Sequence, residues 1–171
     1  MSKQIESNLV IERTYCADVD DLWQLWTTKQ GFEAWWGPEQ FRADVHKIEA
    51  RLGGALQYDM VADTPEALKA MEDLGAPSSQ PCRGLFSEFK PNERLVLTQV
   101  IDFLPGVPPY ESTIAVDFFP AGDGLVRMVV TLSQMHDAAT TAMQKEGFVS
   151  QLSKLDSRYG YAAHGGAKAV D

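Results

Sequence analysis

The 171-residue sequence predicts an α+β domain built on one antiparallel sheet. Runs of alternating apolar and polar residues recur about seven times, the two-residue period of half-buried strands. Short turns rich in Gly, Pro and Asn join most of them, and connections that short favour antiparallel pairing. The chain then closes on a single long stretch with a helical apolar repeat.

Leu9, Ile11 and Tyr15 alternate across Asn8–Tyr15 and read as the first strand. Asp18 is placed to cap a helix, with Asp21 as a capping-box partner. Val19, Leu22, Trp23 and Trp26 then follow i, i+3, i+4, i+7 along one apolar face. Phe32, Trp35 and Trp36 suggest a second short helix, ended by Gly37-Pro38. Of the two tryptophans at this corner, one is expected to pack inward and the other to be partly exposed.

Phe41, Ala43 and Val45 alternate into the next strand, and Leu56, Tyr58 and Met60 into the one after it. Gly53-Gly54 between them suits a hairpin turn, because glycine accepts positive φ. Further strands are read at Arg83–Lys90, Leu95–Phe103, Ser112–Phe119 and Val126–Met135, with turns at Pro91-Asn92, Pro105–Pro109 and Ala121–Gly124. The last helix begins near Asp137, and Phe148, Leu152, Leu155 and Tyr159 give it a buried face. Residues 162–171 are small and polar and are expected to be a flexible tail.

Residues 63–81 form an insertion in what is otherwise a hairpin connection. Thr64 followed by Pro65 is a strong helix start, and Gly75 with Pro77 ends the segment. Leu68, Met71 and Leu74 make a narrow apolar stripe that needs cover. A lid over a cavity rim is the working reading, with a surface decoration or homodimer contact as the alternative.

Composition fits one domain, residues 1–171, with 44% hydrophobic and 23% charged residues. A formal net charge of −9 would repel nucleic acid and anionic membranes, so neither is an expected partner. The uncharged run Leu95–Ile101 is far too short to span a bilayer. The opening MSKQIESNLV lacks the apolar core of a signal peptide. Cys16 and Cys82 are the only cysteines, and no N-x-S/T site occurs. A cytoplasmic location is expected.

Several short motifs occur in order: Trp35-Trp36-Gly37-Pro38 with Phe41, Arg51-Leu52-Gly53-Gly54, Gly84-Leu85-Phe86-Ser87-Glu88, and Pro91-Asn92-Glu93-Arg94-Leu95-Val96-Leu97-Thr98. As a set they resemble the START-like superfamily, specifically the family related to the activator of heat-shock protein 90 ATPase. One departure is Leu52, where that family usually has proline. The resemblance implies a helix-grip fold, a curved seven-stranded antiparallel sheet wrapped around the C-terminal helix, with a cavity between them. On that implication, Trp36, Phe41, Tyr58, Met60, Phe86, Leu97, Ile114, Met128, Phe148 and Leu152 are the candidate lining residues. The same aromatic and methionine side chains could equally close a solid core.

No nucleotide-binding, nucleophile-elbow or zinc-binding motif is present, and no catalytic residue, metal or cofactor is expected. His46 falls on the outward side of its strand, and His164 lies in the tail. His136 beside Asp137 could form an acid/base pair at a cavity mouth, but the capping role of Asp137 explains that dipeptide better. Cys16 precedes a helix but has no neighbouring base, so it reads as a buried structural cysteine. Glu88 and Asp102 are candidate polar cavity residues with Arg51 or Arg83 as partners, although Phe86 and Ile101 compete for the inward positions. Three functions follow from the resemblance. The first is a soluble domain binding a small, largely apolar molecule. The others are a cyclase, hydratase or hydrolase using the same cavity, and a chaperone-cofactor-like protein.

Overall fold

A computed structural model describes residues 8–102 and 106–162. The elements run β1 (Leu9–Cys16), α1 (Val19–Thr27), α2 (Lys29–Trp35), β2 (Phe41–Ile48), β3 (Ala55–Ala62), α3 (Pro65–Leu74), β4 (Ser79–Lys90), β5 (Arg94–Ile101), β6 (Tyr110–Pro120), β7 (Leu125–Leu132), α4 (Ala138–Tyr159) and β8 (Tyr161–Ala162). The strands form one sheet in the order β2-β3-β4-β5-β6-β7-β1-β8. Among the described residues every strand pairing is antiparallel, as the short turns require. The seven long strands curl into a half-barrel around α4, which is the helix-grip arrangement. The two-residue β8, formed after Gly160 turns the chain at the end of α4, adds a short edge beyond the seven expected strands.

Consecutive strands make hairpins from β2 through β7, while β1 travels across the molecule to pair with β7, from Leu9↔Leu132 to Cys16↔Leu125. Inward residues of the sheet meet the apolar face of α4, so Phe148, Leu152 and Leu155 share one core cluster with Ile114, Val116, Met128 and Val130. α1 and α2 add Leu22, Trp26, Phe32 and Trp35 to that cluster. No helix among the described residues is long and apolar enough to cross a membrane.

The helix starts follow their sequence signals closely. Thr64 and Asp137 accept backbone hydrogen bonds from Ala67 and Thr140, and Gly75 ends α3 in the left-handed conformation. Asp18 differs: it occupies the cap position of α1, but its side chain accepts no capping bond. Two further expectations are corrected. Trp35 and Trp36 are both buried, because each indole N–H has an internal acceptor, Leu25 O at 2.9 Å and Tyr58 Oη at 3.0 Å. Cys16 is exposed, since β1 ends there at the rim of the sheet. His164 and residues 163–171, most of the expected tail, lie outside the described residues.

The insertion lengthens the β3–β4 hairpin: β4 begins at Ser79, ahead of the expected Arg83, and Ser79–Cys82 pair with Val61–Tyr58. α3 rests on this extension through Ala67, which is buried, while Leu68 and Leu74 of its apolar stripe are exposed.

Candidate ligand-binding cavity

The position of α4 is set by its grip on the corner between α2 and β2. Gln151 Oε1 accepts from Gly37 N at 2.8 Å, and Ser150 Oγ accepts from Glu39 N at 2.9 Å. Lys154 Nζ donates to Gly37 O and Phe41 O at 2.9 and 3.0 Å. Burial holds the Lys154 ammonium below the usual lysine range, partly offset by Glu39 and Asp63. Gly37 is required at this corner. Its φ is +102°, and an added Cβ would come within 2.9 Å of Met60 Sδ. The tryptophan-glycine-proline motif is therefore a docking point for the second half of α4.

With that half anchored, an open pocket of about 280 Å³ lies beside β3, β4 and β5, where Gln144 of α4 faces the sheet. Tyr58 and Met60 enter it from β3, Gln80, Cys82 and Arg83 from β4, and Gln99, Val100 and Ile101 from β5. Met135, from the connection before α4, and Gln144 of α4 complete the wall. Ligand pockets run from about 300 to 1,000 Å³, so this one, just below that range, has room only for a small molecule.

Tyr58 organises the polar side of the cavity. Its hydroxyl oxygen accepts from Trp36 Nε1 and Gln99 Nε2, both at 3.0 Å. Burial, reinforced by the neighbouring Cys82 sulfur, pushes the phenol well above the usual tyrosine range. Burial likewise pushes the Cys82 thiol up to about 11, so at neutral pH it is a protonated thiol and a poor nucleophile. Arg83 is paired with Asp102 at the rim.

The sequence-derived candidates divide between this cavity and the core. Tyr58 and Met60 border the cavity. Trp36, Phe86, Leu97, Ile114, Met128, Phe148 and Leu152 sit in the packed cluster, and Phe41 is half-buried at the start of β2. Glu88 is exposed, bound to Arg94, and Arg51 pairs with Glu49, so neither serves the cavity. His136 lies beside Met135, with Nδ1 3.0 Å from Tyr110 Oη and Nε2 3.3 Å from Asp137 Oδ2. The hydrogen bond from Thr140 N holds the Asp137 carboxyl below its usual value, as a helix cap should. His46 is exposed on the second strand, 2.9 Å from Asp59. Among the described residues, no group of three or more His, Cys, Asp or Glu side chains is placed to hold a metal ion.

Sequence reasoning passed over Gln80, Gln99, Met135 and Gln144. The signal for two of them was present. Gln99 shares the inward face of Leu97 and Ile101 under the two-residue period, and Gln144 stands one helical turn before Phe148.

Comparison with known proteins agrees with this architecture. The family model described as activator of Hsp90 ATPase homolog 1-like protein matches residues 17–160. No curated protein matches the chain. Among solved structures, the AHSA1 protein of Silicibacter pomeroyi is 21% identical with a TM-score of 0.69, covering 89% of this chain and 96% of that one. A protein of Chromobacterium violaceum is 18% identical with a TM-score of 0.67, covering 90% and 96%. An HSP90 activator from Plasmodium falciparum is 12% identical with a TM-score of 0.60, covering 91% and 99%. At these identities the likeness is one of fold.

Proposed function

The chain belongs to the activator of Hsp90 ATPase homolog 1-like family, and from that premise we propose that it is a binding domain for a small, largely apolar molecule. The observation that carries this reading is the cavity of about 280 Å³ beside β3–β5 and Gln144 of α4. Met60, Val100, Ile101 and Met135 provide its apolar wall. Methionine adapts its shape to an occupant more readily than branched side chains do. Burial of apolar ligand surface supplies the affinity, and the polar side orients the occupant.

Thermal-shift screening with small alcohols, amides and acids is the direct test, since a ligand of the native state raises its apparent stability. Ile101→Phe, which adds bulk on the inward face of β5, should fold and lose the shift. A panel in which no compound moves the melting point, together with no co-purified molecule in native mass spectrometry, overturns the reading.

A second reading, a protein or homodimer contact through α3, draws on the exposed Leu68 and Leu74. If α3 joins two copies, the Leu68→Ser/Leu74→Ser double variant should elute from a sizing column later than the parent.

A further inference from the structure

The polar side of the cavity narrows the class of ligand. Resting on the binding reading above, we propose that the occupant carries a neutral hydrogen-bond-donating head, an alcohol or primary amide, rather than a carboxylate. Gln144 is the first ground. Its side chain lines the cavity, and its Oε1 is shielded from solvent with no hydrogen-bond partner among the described residues. A buried acceptor left unpaired is costly, and the terminal torsion of glutamine is soft, so the amide can turn its oxygen to a donor at little expense. An alcohol or amide supplies that donor. A carboxylate offers only acceptors and leaves Oε1 as it was.

Charge is the second ground, and it is independent of the first. Among the described residues Arg83 is the one cationic side chain lining the cavity, and Asp102 already neutralises it. Asp59 and Asp102 lie close enough to add, behind burial, to the rise of the Cys82 thiol. Burial also keeps the Tyr58 phenol neutral. A bound carboxylate would lose hydration in this wall without gaining a free counter-ion, since Arg83 is already paired with Asp102.

Four probes of matched size separate the terms: hexanol against methyl pentyl ether, and hexanamide against hexanoate, titrated at neutral pH with NMR chemical shifts as readout. Hexanol should bind about tenfold more tightly than the ether, and hexanamide about tenfold more tightly than hexanoate. Gln144→Leu should bring the hexanol-to-ether ratio to about one while the ether still binds. Gln144→Glu, near-isosteric and still an acceptor, should keep the preference for hexanol and reject hexanoate further. If the ether equals hexanol, if hexanoate equals hexanamide, or if the Gln144 variants leave the ratios unchanged, the neutral-donor assignment fails and the binding reading stands. If none of the four binds, the binding reading itself fails.

Discussion

Tyr58 joins the tryptophan corner to the cavity wall, and its two accepted hydrogen bonds show why a polar atom is tolerated there. Tyr58→Phe would leave the buried Trp36 indole N–H without an acceptor, at a cost of about 1–3 kcal/mol. Urea denaturation should show that loss as a lower midpoint with an unchanged slope. The two cysteines make a second residue-scale test. Cys16 is exposed, whereas Cys82 is half-buried with its thiol pushed up to about 11. Iodoacetamide at neutral pH should label Cys16 first, with Cys82 following as the pH approaches that value or as the protein unfolds. Linkage gives the sign for stability. The folded state holds the Cys82 proton after the unfolded chain has released it, so this contribution is present at neutral pH. It is lost as pH rises from the ordinary thiol value towards about 11.

At the scale of elements, α3 and α4 carry comparable apolar patterns with opposite fates. Leu152 of α4 is fully buried in the core cluster, and Leu152→Ala should cost about 2–5 kcal/mol. Leu74 of α3 is 75% exposed, and Leu74→Ser should change stability by no more than about 0.5 kcal/mol. Chemical denaturation of the pair checks both values. Equal effects would mean that α3 is packed as tightly as α4. The corner clamp explains part of the contrast. Ser150, Gln151 and Lys154 tie the body of α4 to residues 37–41, whereas α3 meets that corner at its start, where Asp63 N and Thr64 Oγ1 donate to Gln40.

For the whole molecule, the decisive connection joins strands more than one hundred residues apart in sequence. β1 pairs with β7 along its entire length, and Tyr15 places a fully buried ring in the core while its hydroxyl donates to Asp156 of α4 at 2.7 Å. A chain beginning at Ala17 would expose the edge of β7 and remove that ring. Such a chain should lose cooperative unfolding, read by near-UV circular dichroism during a thermal ramp. Retention of a cooperative transition would show that β2–β7 and α4 suffice. Pairing so distant in sequence also places folding in the slow regime of about milliseconds to seconds, because loop closure precedes the contacts that offset it.

Local chemistry determined much of this protein. Thr64-Pro65 and Asp137 start helices in any context that leaves their backbone free, and the four-three-four spacing from Phe148 to Tyr159 admits one buried helix face. Strand periodicity and the turns at Gly53-Gly54 and Asn92 likewise act over a few residues. Tertiary structure alone decided which inward side chains close the core and which border a cavity. Leu97 and Gln99 alternate onto the same face of β5, yet Leu97 lies under the packed cluster and Gln99 faces open space. The difference depends on where α4 crosses the sheet, and hydrogen bonds from α4 to Gly37 and Glu39, more than one hundred residues away, set that crossing. Periodicity describes a residue's face. The volume opposite that face belongs to another element, and the sequence around the residue carries no record of it.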